Sequence, residues 1–230
     1  MTAIFITSTG TDIGKTFVAR GLIRHLHDQD RSVDVLKPVV SGFLASKARA
    51  SDPGLLLAAL GRVATADEVK RISPWRFAAP LSPDLAAQRE DRSVDFDDLI
   101  DFSRKAIRNA PDVLLIEGVG GVMVPLDDRH TVLDWMTALA IPVILVAGNY
   151  LGTISHTLTA LHALAARNLK LLSIVLSEKV RSTSPDDNAS AIARFAVGTE
   201  VMTLPQLPRN SFRHPTFVHL SQRVLAGSGS

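Results

Sequence analysis

Near the N-terminus, the run Ser8–Thr9–Gly10–Thr11–Asp12–Ile13–Gly14–Lys15–Thr16 follows a short apolar stretch and ends in a glycine, a lysine and a hydroxyl residue. Small residues let a loop turn sharply and aim several backbone N–H groups at one point. A helix N-terminus behind such a loop adds partial positive charge, and together they hold phosphate oxygens. In that arrangement Lys15 reaches the outer phosphates of a nucleotide and the Thr16 hydroxyl binds Mg²⁺. The usual spacing, G-x-x-x-x-G-K-[ST], puts its first glycine at Thr9, so the reading rests on Gly14–Lys15–Thr16 and on the strand and helix that flank them. Further along, Lys37 ends an apolar run that starts at Val33, and Glu117 ends one that starts at Val113. Asp52 follows Ser51 at a helix start. Singly, Lys37 reads as a solvated strand end and Asp52 as part of a helix cap. Glu117 stands apart because Gly118, Gly120 and Gly121 follow it, so a carboxylate leaves a buried strand into a tight loop. With Thr16 it offers hard oxygen ligands suited to Mg²⁺ bridging nucleotide phosphates. As a set around a phosphate loop these residues read as one site.

Such a set needs a frame that gathers strand ends. Short apolar runs alternate here with segments of helical period, the pattern of a parallel α/β sheet. Strands are expected at Ala3–Thr7, Val33–Leu36, Val113–Ile116, Pro142–Ala147 and Leu171–Leu176. A helix after the phosphate loop carries Val18, Leu22 and Leu26 on one face, with Ile23 beside them. Others are expected near Leu55–Leu60, Phe96–Ile107, Val132–Leu139, Ile154–Ala166 and Ala189–Ala196, with Thr131 and Asp134 forming a capping box. Uninterrupted apolar strands imply helices on both sheet faces, and ligands then bind at the carboxyl ends of the strands. The expectation is one P-loop α/β domain over residues 1–230, mostly parallel, with Ser41–Ser51 a mobile loop. Residues from about 209 to 230 read as a peripheral segment whose Leu225–Ser230 end is frayed.

Composition agrees with this frame. In a chain of 230 residues, 46% hydrophobic and 21% charged is the balance of a fold with a core, which excludes a disordered tail, a collagen and a coiled coil. With no cysteine, there is neither disulfide framework nor thiolate nucleophile nor cysteine-based metal site, and a reducing cytoplasm is compatible. The longest apolar runs, such as Ile141–Ala147, fall far short of the roughly 20 residues that span a bilayer. Met1–Ser8 lacks the basic start and cleavage site of a secretory signal. The pI is near 9.1, yet the formal charge is only +2 and the basic residues are scattered rather than clustered. A cytoplasmic protein without nucleic-acid or membrane partners is expected. His25 and His27, like His156 and His162, do not share a helix face, so zinc is not expected. A nucleophile elbow, G-x-S-x-G, is absent from the sequence. Trp75, Trp135 and Phe77 read as core or interface.

Taken together, the segments resemble one family. Thr7–Thr16 resembles the P-loop of the dethiobiotin synthetases, as do Lys37–Pro38–Val39–Val40–Ser41–Gly42 and Ser82–Pro83–Asp84–Leu85–Ala86–Ala87 after Pro80. Glu117–Gly118–Val119–Gly120–Gly121–Val122 and Leu151–Gly152–Thr153–Ile154–Ser155–His156–Thr157 match further segments in the same order, from Ala3 to about Pro208. The resemblance implies ATP-dependent closure of a cyclic urea on 7,8-diaminononanoate with CO₂, in biotin biosynthesis. It implies a carbamate that attacks the γ-phosphate, a carbamic–phosphoric anhydride, and Mg²⁺ held by Thr16, Asp52 and Glu117. Lys15 and Lys37 are then the phosphate and carbamate lysines, with Thr11 beside them. The nucleotide is held by Asp12, Ile13, Gly14, Lys15, Thr16 and Phe17, by Gly118, Val119 and Gly120, and at the base end by Ser177, Glu178, Pro205, Gln206 and Leu207. Ser41, Gly121 and Val122 are implied on the substrate side. Leu151, Gly152 and Ser155 are implied to hold the substrate carboxylate from the neighbouring subunit of a homodimer.

Three positions depart from the family. Ser8 stands at its first loop glycine, adding a Cβ where backbone freedom is usual. Ser155 replaces an asparagine and still offers one hydrogen bond. Ser177 stands near the adenine-reading asparagine, which implies looser nucleotide choice. Rival readings are an amide-forming synthetase of the corrin type, a switch ATPase of the partition or septum-positioning group, and a degenerate relative that binds nucleotide without turnover. The first needs a cysteine-bearing glutaminase domain, and the second places a lysine where this chain has Gly10.

Overall fold

The computed structural model describes residues 1–178, 184–208 and 210–227. Along the chain run β1 (Thr2–Ser8), α1 (Lys15–His27), β2 (Val33–Leu36), β3 (Val39–Ser41), α2 (Asp52–Ala59), α3 (Ala66–Ile72), β4 (Trp75–Phe77), α4 (Pro83–Gln88), α5 (Phe96–Arg108), β5 (Val113–Glu117) and α6 (Val132–Leu139). They continue with β6 (Val143–Gly148), α7 (Thr153–Ala166), β7 (Leu171–Ser177), α8 (Pro185–Ala193), β8 (Glu200–Leu204) and α9 (Pro215–Ala226). Six strands form one parallel sheet in the order β2-β5-β1-β6-β7-β8. Along its central strands successive side chains point to opposite faces, and both faces are covered. Phe5, Leu114, Ile116 and Leu145 pack with Leu99 and Trp135 on one side, whereas Ile4, Ile6, Leu115 and Val146 pack with Leu22, Ile23 and Phe217 on the other. The Phe5 and Trp135 rings meet edge-to-face with centroids 4.8 Å apart.

The five expected strands are present, each beginning or ending within a residue of its expected bounds. The capping box of α6 is made: Thr131 N–H donates to Asp134 Oδ2 at 2.9 Å, and Asp134 N–H donates to Thr131 Oγ1 at 3.4 Å. The segment expected as a mobile loop, Ser41–Ser51, is instead structured. Ser41 ends β3, which pairs with β4; Ala45–Ala50 form a 3₁₀ helix; and the Ser51 hydroxyl donates to Ala48 O at 2.6 Å while capping α2. Gly54 is what lets α2 lie against that turn, because a Cβ there would meet Ala48 O at 2.1 Å. The segment expected as peripheral also differs. Its α9 buries Phe217, Leu220 and Val224 fully in the core shared with α1, and Gly21 gives Phe217 its space, since a Cβ there would lie 2.1 Å from the ring. Of the end expected to fray, residues 228–230 lie outside the described residues. Among the described residues no helix is long and apolar enough to cross a membrane.

What matters for the site is strand order. The sequence β2-β5-β1 sets three carboxyl ends side by side, and these ends carry Lys37, Glu117 and the loop that opens α1.

Candidate active site

Beyond β1 the chain turns into α1 through Gly14, whose φ of +113° is a left-handed conformation that glycine adopts without strain. The first N–H groups of α1 lack intrahelical partners and face the space above the sheet. Lys15, though charged, is only 7% exposed. Its ammonium donates to Gly120 O at 2.7 Å, Ser8 Oγ at 3.0 Å and Gly10 O at 3.3 Å. Burial and then the nearby charge of Lys37 lower its pKa to about 8.

Glu117 is the hub of the charged set. Its Oε1 accepts from the Thr16 hydroxyl at 2.7 Å and from the Lys37 ammonium at 2.6 Å, while its Oε2 is buried with no hydrogen-bond partner among the described residues. Lys37 also donates to Gly118 O at 3.2 Å and lies 3.5 Å from Asp52, whose side chain is 47% exposed at the rim. Burial works against the Lys37 ammonium, but Glu117 and then Asp52 outweigh it and hold its pKa above the ordinary lysine value. A buried charge without a partner is strongly destabilising, so the lysine and the glutamate each justify the other. The cavity they share has a volume of about 620 Å³.

Thr11, Asp12, Ile13, Gly14, Ser41, Val119 and Gly120 line the same cavity as Lys15, Thr16, Lys37, Asp52 and Glu117. The Ser41 hydroxyl is buried and has no hydrogen-bond partner among the described residues. Gly118 is present through its carbonyl. Gly121 and Val122 differ from the expectation: they pack behind the loop rather than lining the cavity, with Gly121 against the Thr9–Gly10 backbone and Val122 N–H donating to Ser8 O at 3.0 Å. At the base end, Ser177 pairs with Leu204 in register and its hydroxyl abuts Gly14, where a Cβ would sit 2.9 Å from it. Glu178 N–H donates to Leu204 O at 2.8 Å, which sets Pro205, Gln206 and Leu207 beside it. Phe17 does not line the cavity; it packs on Phe212, ring centroids 5.1 Å apart. Leu151, Gly152 and Ser155 line a separate open groove of about 780 Å³ and do not reach the charged cleft.

Two roles go beyond the sequence reading. Pro80, Ser82 and Pro83, legible only as part of a family-like segment, line the cleft together with Leu81, and the pair of prolines is the signal that marks a rigid turn there. Ser8 is a bonding partner of Lys15, not only a departure in the loop.

A family profile described as an AAA domain matches residues 2–211. The ATP-dependent dethiobiotin synthetase BioD of Acidiphilium cryptum is 52% identical over 178 residues, covering 77% of this chain and 80% of that protein. The protein of the same name from Caulobacter sp. is 48% identical over 207 residues, 90% of this chain and 89% of that one. That of Bacillus licheniformis is 36% identical, over 95% and 91% of the two chains. Among solved structures, the MinC:MinD cell division protein complex of Aquifex aeolicus superposes with a TM-score of 0.53 at 12% identity, over 99% of this chain and 94% of the other. The signal recognition particle receptor FtsY of Elizabethkingia anophelis does so with 0.52 at 11%, over 97% and 65%. At such identities these two likenesses speak to the P-loop fold alone.

Proposed function

The chain belongs to the dethiobiotin synthetase family, and from that premise we propose how its residues divide the ATP-dependent formation of dethiobiotin. One amine of 7,8-diaminononanoate takes up CO₂, losing a proton, to give a carbamate. The carbamate oxygen attacks the γ-phosphorus and ADP leaves. The second amine then attacks the carbamate carbon, and phosphate departs with the oxygen that bound it. The carbamate and the triphosphate are both anionic, so cations must sit between them before they can approach. Lys37 serves the carbamate and Lys15 the phosphates, with Thr11 at the loop mouth. Glu117 keeps the Lys37 ammonium charged and oriented.

The residues fit a divalent ion. Glu117 Oε2 is a buried carboxylate oxygen without a hydrogen-bond partner among the described residues, and the Thr16 hydroxyl and Asp52 carboxylate flank the same cleft. Two carboxylates and a hydroxyl leave the remaining positions to water and phosphate oxygens, as Mg²⁺ prefers. Bound there, Mg²⁺ would neutralise charge on the nucleotide phosphates. At the base end we assign nucleotide contacts to Ser177, Glu178 and Pro205–Leu207, and on the substrate side to Ser41.

We further propose a homodimer in which Leu151, Gly152 and Ser155 of one subunit hold the substrate carboxylate at the cleft of the other. Support comes from the open groove and from Leu151, 90% exposed at its lip. A chain without cysteine that consumes ATP suits the cytoplasm.

The observation that carries this reading is the fully buried Lys37–Glu117 pair beside the phosphate loop. Its test supplies diaminononanoate, bicarbonate and MgATP and follows ADP and the cyclic urea together, expecting equal amounts. ATP hydrolysis that ignores the diamine and responds to DNA or lipid would favour the switch ATPase, which otherwise has only the fold-level likeness. Nucleotide binding without product would favour a degenerate relative.

A further inference from the structure

The bonds around Lys15 have a consequence for ATP affinity. An ammonium has three N–H bonds, and Lys15 faces three oxygens: Gly120 O at 2.7 Å, Ser8 Oγ at 3.0 Å and Gly10 O at 3.3 Å. Its hydrogen-bonding capacity is therefore met entirely by the protein. Two of the acceptors are main-chain carbonyls from loops after different strands, and the third is the fully buried hydroxyl of Ser8. That hydroxyl has its own hydrogen engaged, with Gly10 O at 2.6 Å and Gly120 O at 2.9 Å, so its oxygen is left to accept from the lysine and, more weakly, from the Gly10 N–H at 3.4 Å. With glycine at this position the ammonium would keep two carbonyls and lack its third partner.

We propose that Ser8 is a positioning residue that parks the Lys15 ammonium in the nucleotide-free enzyme, so that ATP must draw the lysine away from it. The parked state competes with nucleotide. When the binding-competent state is only partly populated, the apparent Kd rises in inverse proportion to that population. Removing the Ser8 hydroxyl therefore tightens ATP binding, a direction that simple damage to the loop does not produce. The inference rests on the proposed placement of the triphosphate beside Lys15.

The test is equilibrium binding of MgATP, without diamine, to the whole protein and to its variants. Hydrogen bonds from a charged donor are stronger than neutral ones, so Ser8→Ala is expected to lower the Kd about tenfold. Ser8→Gly should follow it. In a Lys15→Met background the same Ser8→Ala change should do nothing, because its effect passes through the lysine. A Kd that is unchanged or raised in both Ser8 variants overturns the inference, as does an equal shift in both backgrounds. If Lys15→Met alone leaves ATP affinity intact, the placement of the triphosphate fails and the Ser8 inference with it. If Lys15→Met weakens binding while the Ser8 variants do not tighten it, only the Ser8 inference fails.

Discussion

Two loops leave neighbouring strands of the sheet and are built in opposite ways. Over β2, β5 and β1 the charges meet inside one chain: the Lys37 and Glu117 side chains are 4% and 0% exposed and 2.6 Å apart. After β6, the turn through Tyr150 and Gly152 stands open, with the Tyr150 hydroxyl bonded to His156 Nδ1 at 2.8 Å. Among the described residues no aspartate, glutamate, lysine or arginine lines its groove. On the proposed division of roles, the contrast follows from what each region has to hold. Charge that develops during phosphoryl transfer is stabilised best by groups fixed beforehand in a site that excludes water. A carboxylate handle at the far end of a substrate asks only for neutral donors, and these can be completed by a second surface.

The comparison breaks first at Lys37. Lys37→Ala is expected to lower kcat by about a thousandfold, the scale of losing one preorganised charge partner, while the Kd for ATP moves only a few-fold. Equal losses in both would take Lys37 out of its role at the carbamate. Next comes Glu117→Gln, which keeps shape and removes charge. The Mg²⁺ concentration for half-maximal rate should rise at least about tenfold, because even the loss of a ligand's hydrogen-bonding partner costs about that much in metal affinity, and an unchanged titration would count against Glu117 as a ligand.

On the open loop the effects are smaller. Ser155→Ala removes one neutral hydrogen bond, so KM for the diamine should rise about fivefold. A loss confined to ATP affinity would place Ser155 at the wrong end of the reaction. Smallest is a change in neither region. Asp134→Ala opens the α6 capping box and should lower stability by about 1 kcal/mol with no change in Kd for ATP. Burial raises the Asp134 carboxyl pKa, but the Thr131 N–H and hydroxyl and then Arg167 outweigh it and hold it below the ordinary aspartate value. A depressed folded-state pKa contributes stability above the unfolded value and loses it as pH falls. The difference between parent and variant in thermal or urea unfolding should therefore be full above about pH 5 and shrink as acid protonates Asp134. A difference that grows in acid would contradict that sign.

How much of this was legible depended on what each residue touches. The central strands announce themselves because both faces are buried, as in Ile4–Ile6 and Val143–Ala147. The short β3 and β4 do not: three residues each, paired across the intervening residues 42–74, they carry too little pattern. In α3 only Val69 and Ile72 are buried among charged neighbours, so its apolar face is too thin to read. For α9 the spacing of Phe217, Leu220 and Val224 does carry a helix face, thinned by the polar residues between them. In the cleft, Lys37 and Glu117 were legible because each ends an apolar run, and Lys15 because it follows Gly14 in a small-residue loop before a helix. The Pro80–Pro83 wall comes from a turn with no chemistry of its own. The bonding of Ser8 depends on a carbonyl of Gly120, in a loop that only the pairing of β1 with β5 brings near.

The central claim is that this cleft joins ATP to ring closure through an oxygen passed from carbamate to phosphate. Supplying CO₂ labelled with ¹⁸O, together with diamine and MgATP, and weighing the released inorganic phosphate reads that oxygen directly. One heavy oxygen in each phosphate formed alongside cyclic urea is the predicted result. Unlabelled phosphate, its fourth oxygen taken from water, would contradict it.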